Sequence, residues 1–146
     1  MDSRTAQRRI VVGVDGSAAS RTALRWAARQ AALVGATVEA VTTWQYPAAF
    51  GWSVPVVDTD VAADAAKILA ETVAEEAAQY GVEIRERVES GNAAQILLEA
   101  AEGADLLVLG NRGHHGFAKA LLGSVSQHCV QHATCPVVVV REDAEQ

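Results

Sequence analysis

Apolar positions along the chain switch between two spacings, one suited to strands and one to helices. Residues 10–14 form a short β-branched run closed by Asp15 and Gly16, which predicts a strand and its turn. Ser17 or Ser20 then caps a helix with Ala23, Leu24, Ala27, Ala28, Ala31 and Ala32 on one face and Gly35 at its stop. Residues 37–44 read as a second strand anchored by Val38 and Val41. Residues 45–57 carry Pro47, Gly51 and Pro55 without periodicity and read as a long loop. Residues 58–80 predict the longest helix, with Ala65, Leu69, Thr72, Ala77 and Tyr80 near one stripe and Gly81 after it.

Residues 82–89 alternate apolar and polar side chains, the pattern of an edge strand with one solvated face. Asn92 followed by Gln95 resembles a capping box, and Ile96, Leu97, Ala100 and Ala101 carry a helix that Gly103 stops. Residues 106–109 are continuously apolar, as in a strand buried on both faces. A glycine-rich segment follows, then a helix over residues 124–133, then a last strand, Val137–Val140, after Pro136. Strands and helices alternate throughout, which predicts an α/β fold: a single doubly wound parallel sheet of five strands with helices on both faces.

The chain has 146 residues, enough for one domain with its own core, expected to span 1–146 with an ordered part at about 8–141. Twelve basic against eighteen acidic residues give a formal charge of −6, unsuited to general nucleic-acid binding but compatible with a local site for one small anion. Cys129 and Cys135 match neither a redox pair nor a zinc knuckle and read as reduced thiols. No apolar run approaches the roughly 20 residues of a membrane span, and the start does not read as a secretory signal. The expectation is a cytoplasmic protein with no membrane contact.

In an open parallel sheet, ligands bind at the carboxyl ends of the strands where the strand order reverses. For strand order 3-2-1-4-5, that crevice lies between strands one and four. Strand one ends at Gly13-Val14-Asp15 and strand four at Leu109-Gly110, so the two most distinctive local sequences are expected to meet there. The segment after strand four runs Gly110-Asn111-Arg112-Gly113-His114-His115-Gly116, then Gly123-Ser124-Val125-Ser126. Glycines bring the backbone close to a ligand, successive N–H groups form an anion-binding concavity, and a helix opening at Ser124 favours phosphate. Arg112 adds a cation, so the expected ligand carries phosphates. The segment is not a P-loop, because no G-x-x-x-x-G-K-[ST] pattern is present.

The pattern G-x2-G-x9-G-[ST], filled by Gly110, Gly113, Gly123 and Ser124, resembles the ATP-binding signature of the universal stress protein family. Residues 11–17, 123–128 and 135–140 are similar to that family's opening and closing stretches, and the wording is closest to actinobacterial members. The resemblance implies an adenine nucleotide alpha hydrolase-like fold. It also implies ATP, with Gly13 and Asp15 on the pocket floor, Thr43 by the adenine, and residues 110–116 (Arg112, Gly113, His114, His115 and Gly116 among them) around ribose and phosphates. Ser124, Val125 and Ser126 would cradle the phosphates, with Mg or Mn near Asp15. A homodimer through Val137–Val140 is implied as well. One departure is His115, where the family often has a small residue.

Other readings stay open from the residues alone. Asp15 is either a metal contact or a turn residue capping the next helix. His128 and His132 stand four apart on a predicted helix and could share a face, but no third ligand accompanies them, so a helix face or interface is the better reading. Trp44, Tyr46, Phe50 and Trp52 cluster around the long loop, where they cover a base, meet a partner or pack the loop down. The preferred function is an ATP-binding regulatory or stress-response protein with at most slow hydrolysis, since no dedicated base and charge-stabilising set stands out. The alternatives are a nucleotide-transforming enzyme of similar build and a dimeric stress protein that binds no nucleotide. A phosphorylated receiver is rejected because Asp15 lacks an acidic neighbour and strand three ends in Glu89-Ser90.

Overall fold

Five short runs rich in β-branched residues pair in parallel, in the order β3-β2-β1-β4-β5. The computed structural model describes residues 8–45, 61–111 and 123–142. The strands are β1 (Arg9–Gly13), β2 (Thr37–Trp44), β3 (Ile84–Ser90), β4 (Leu106–Gly110) and β5 (Val137–Val140). The helices are α1 (Ala18–Val34), α2 (Val61–Glu76), α3 (Ala93–Ala100) and α4 (Ser124–His132). This is the parallel architecture that the alternating pattern predicts, in the expected strand order. Register places Val12 opposite Ala40 on one side and opposite Val108 on the other, so the apolar middles of the strands share one level.

Each helix begins and ends on local chemistry. Ser17 is the N-cap of α1, its hydroxyl oxygen accepting from the Ser20 N–H at 3.2 Å. Gly35 closes α1 at φ 76°, a left-handed conformation that residues with a Cβ adopt only with strain. Asn92 caps α3 by accepting from the Gln95 N–H at 2.9 Å. Two expectations are corrected. Ala32 is exposed, because the buried stripe of α1 runs through Ala19, Ser20, Ala23, Leu24, Ala27, Ala28 and Ala31. The long helix over 58–80 is broken: α2 ends at Glu76, and Ala78–Tyr80 form a separate 3-10 turn. The pivot, Ala77, is itself buried, so packing on the sheet overrides the helical preference of an alanine-rich stretch. Residues 58–60, where that helix was expected to start, and Tyr46, Phe50 and Trp52 of the long loop lie outside the described residues.

Two apolar layers cover the sheet. Val12, Leu24, Ala27, Val38, Ala40 and Leu69 belong to the layer with α1 and α2. Val11, Val41, Leu97, Leu107 and Cys129 belong to the layer with α3 and α4. Alternation along β1 and β2 thus feeds both faces, with Val11 and Val41 in one layer and Val12, Val38 and Ala40 in the other. The second face also carries a polar stripe. Glu39 accepts from Arg9 Nη1 and from Arg87 Nη1, each at 2.9 Å. The hydrogen bond to Glu39 is the main cause raising the Arg87 pKa above its ordinary value. Arg9 also donates to the carbonyls of Ala100 and Glu102, which ties the end of α3 to the start of β1. The edge strand β3 presents Ile84 and Val88 to the first layer, and its exposed alternate face is charged, as its pattern predicts.

Cys129 is fully buried on the inner face of α4, and burial pushes its thiol up to about 11 from the ordinary 9.0. Between these values the folded chain keeps a proton that the unfolded chain has lost, so this group makes stability fall as pH rises. Urea midpoints followed from neutral pH into that alkaline window are expected to drop less steeply in Cys129→Ala than in the parent chain. Equal slopes would show that the thiol titrates alike in both states.

Candidate nucleotide site

Strands β1 and β4 are neighbours, and each is followed by a connection to the opposite layer of helices. Their carboxyl ends therefore open a crevice at the point where the winding reverses. The floor on the β1 side is built by the sequence that follows it. The Val14 N–H donates to the Val41 carbonyl at 2.9 Å, extending the pairing with β2 one residue past Gly13. Asp15 is exposed, and its Oδ1 accepts from the Ser17 N–H at 2.9 Å. The Asp15 N–H in turn donates to Ser20 Oγ at 3.2 Å. One carboxylate oxygen of Asp15 thus already serves the turn that starts α1. Gly13 lies over α3, where an added Cβ would meet Leu97 and Leu109 side chains at 3.2 Å. Thr43 is half-buried near the end of β2.

On the other side, Gly110 ends β4 directly against the first turn of α1. A Cβ placed there would lie 2.7 Å from both the carbonyl carbon and the Cβ of Ala19, and 2.9 Å from the Ser20 nitrogen. Contacts that close cannot be made, so glycine is required for the helix to sit where it does. Gly110 therefore owes its identity to intramolecular packing, whereas sequence reasoning assigned it to backbone approach by a ligand. The Asn111 N–H donates to the Val140 carbonyl at 2.8 Å, and the Gly123 N–H donates to the Asn111 carbonyl at 2.7 Å. The glycine-rich segment thus leaves the sheet and returns to it at the same place. Asn111 Oδ1 is buried there without a hydrogen-bond partner.

Gly123 is the N-cap of α4, with extended φ −71° and ψ 168° and no side-chain cap. The first backbone bond of the helix runs from the Gln127 N–H to the Gly123 carbonyl. The N–H groups of Ser124, Val125 and Ser126 precede it, which makes this helix end suited to an anion. Ser124 is exposed, Val125 is half-buried, and Ser126 is only 5% exposed. The Ser126 hydroxyl donates to the Gly110 carbonyl at 2.6 Å, so its proton holds α4 to the end of β4.

The structure therefore brings Gly110, Asn111, Gly123, Ser124, Val125 and Ser126 together, with Gly13 and the Asp15 turn on the adjacent strand. Arg112, Gly113, His114, His115 and Gly116 lie outside the described residues. Sequence reasoning missed the share of Ala19 and Leu97, which press on Gly110 and Gly13, and of the Val140 carbonyl, which holds Asn111. No local signal marks these residues, because each acts through contacts distant in the chain. Among the described residues no group of three His, Cys, Asp or Glu side chains could hold a metal ion.

A parallel five-stranded sheet with a switch-point crevice and a glycine-opened helix defines a doubly wound α/β architecture. Residues 7–141 match the Universal stress protein family, and the chain belongs to that family. A universal stress protein of Mycolicibacterium smegmatis is 32% identical over 145 residues, covering 92% of this chain and 48% of the relative. The chain spans about half the length of the curated relatives it matches. A crystal structure of a universal stress protein in complex with cAMP is 30% identical with a TM-score of 0.73, covering 95% of this chain and 100% of that one. The universal stress protein of Archaeoglobus fulgidus in complex with dAMP shares the fold, with 22% identity and a TM-score of 0.62 over 91% of this chain and 97% of that one. The adenine nucleotide alpha hydrolase-like fold expected from the sequence is the observed one.

Gly110→Ala is expected to cost about 1–3 kcal/mol, the usual penalty for a methyl group forced into a packed site. Urea unfolding measures it. An unchanged midpoint would mean that α1 moves away from β4 at no cost.

Proposed function

We propose that the chain binds an adenine nucleotide, ATP, at the crevice between β1 and β4, and serves a regulatory or stress-response role. The observation that carries this reading is the uncapped start of α4, joined by the Gly123–Asn111 hydrogen bond to the end of β4 beside the Asp15 turn. Free N–H groups and the helix dipole at that end attract phosphate oxygens without any charged side chain. The relatives that carry cAMP and dAMP support an adenine nucleotide as the ligand class. In the proposed pose Gly13 and Asp15 form the floor and Thr43 lies by the adenine. Ser124, Val125 and the N–H of Ser126 cradle the phosphates, and residues 110–116 would wrap the ribose and phosphates, mostly by backbone. The residues fit this ligand: the donors are main-chain amides, and Asp15 offers a carboxylate to a Mg or Mn ion that arrives with the phosphates.

Catalysis is no more than slow in this reading. Rapid phosphoryl transfer needs a group that positions the attacking water and others that neutralise the γ-phosphate. Asp15 already uses Oδ1 in its own turn, which leaves it poorly placed as a base. The protein is proposed to work in the cytoplasm, where its two thiols stay reduced. No described helix is long and apolar enough to cross a membrane.

Nucleotide released from purified protein, identified by mass spectrometry, tests the proposal. The parent chain is expected to carry ATP and Gly113→Ala much less. Negligible nucleotide in both, with no binding on titration, would sink it.

Assembly is proposed through β5. This strand is an edge of the sheet, and its four valines are all half-buried. An apolar edge with unpaired backbone groups invites a second copy to pair with it. Light scattering should show a dimer that falls to monomer when Val138 and Val140 are both changed to Asp. A dimer that persists would move the interface elsewhere.

A further inference from the structure

We propose that His128 and His132 form a two-histidine site for a divalent transition-metal ion on the outer face of α4. The two residues are one helical turn apart, so their side chains rise from the same face. The inner face of α4 is occupied by Ser126 and Cys129, both buried, whereas His128 and His132 are exposed. Their rings already converge, with centroids 4.5 Å apart and planes tilted by 37°. An imidazole nitrogen sits about 2.0–2.1 Å from a bound ion, which puts the ring centre roughly 3.2 Å away. Two rings at adjacent corners of a square or octahedral ion, at a right angle, are then about 4.5 Å apart. The observed spacing matches that arrangement.

The environment favours a cation as well. His132 lies in the last turn of α4, where the helix dipole places partial negative charge. The rings lie near each other before any ion arrives, so binding needs little rearrangement of the pair. No third His, Cys, Asp or Glu joins them among the described residues, so water completes the coordination. Two imidazoles with open positions suit borderline ions, copper(II) above nickel(II) and zinc(II). The sequence spacing alone left this pair as an interface feature; the ring geometry is what changes the assignment. His128 stands one helical turn along α4 from Ser124, and the proposal does not rest on the nucleotide reading.

Copper(II) titrated into the untagged full chain at neutral pH by calorimetry tests the site. The parent chain should bind one equivalent. His128→Ala and His132→Ala should each bind at least about tenfold more weakly, because the second contact is no longer intramolecular. His132→Gln should behave as His132→Ala, and circular dichroism should show all variants folded. Electron paramagnetic resonance should report two imidazole nitrogens in the parent and one in each variant. Equal affinity in parent and α4 variants, or a copper spectrum that the variants do not alter, would overturn the proposal and leave the rings merely stacked.

Discussion

The first turn of α1 rests directly on the last residue of β4, and the geometry of the crevice follows from that contact. Gly110 has room for nothing larger than hydrogen between itself and Ala19. From the other layer, Ser126 donates its hydroxyl proton to the Gly110 carbonyl. One residue is thus gripped from both sides of the sheet. The start of α1, the end of β4 and the start of α4 are held in register with one another. Any ligand gripped by main-chain amides would need this, because amides cannot swing to meet a ligand as a lysine can.

Burial supplies most of the stabilisation, while polar groups decide where elements end. The valines and leucines at the middle of β1, β2 and β4 are almost wholly buried, as are the alanines of α1 that pack on them. Small helix residues let α1 lie close to the sheet, and that closeness is what makes Gly110 obligatory. The Arg9–Glu39–Arg87 stripe contributes little per ion pair, since its members are partly exposed. Its value lies in position. Arg9 satisfies the carbonyls at the end of α3, and α3 in turn places Leu97 under Gly13.

Membership of the universal stress protein family and the observed fold agree with a crevice that works through backbone. Such a site is tolerant of side-chain change wherever the glycines and the helix start survive. It also explains why few residues look catalytic. The carboxylate of Asp15 shapes a turn, and the hydroxyl of Ser126 holds two elements together. The pair of histidines on α4 stands apart from this economy, on a surface that the core does not use.

Sequence by itself determined the alternation of strands and helices, the N-cap at Asn92, the glycine stop at Gly35 and the span of β2 and β5. These features depend on neighbours within a few residues, so local chemistry is sufficient to specify them. It also marked Gly110, Gly123 and Ser124 as one candidate cluster, which the structure brings together at the end of β4. What it did not determine was why those residues are needed. The close approach of Ala19 to Gly110 joins positions some ninety residues apart, and no local pattern records it. The same holds for the exposure of Ala32 and the break at Ala77. Both depend on which side chains meet the core, because only packing tells an apolar residue which side of a helix is inside.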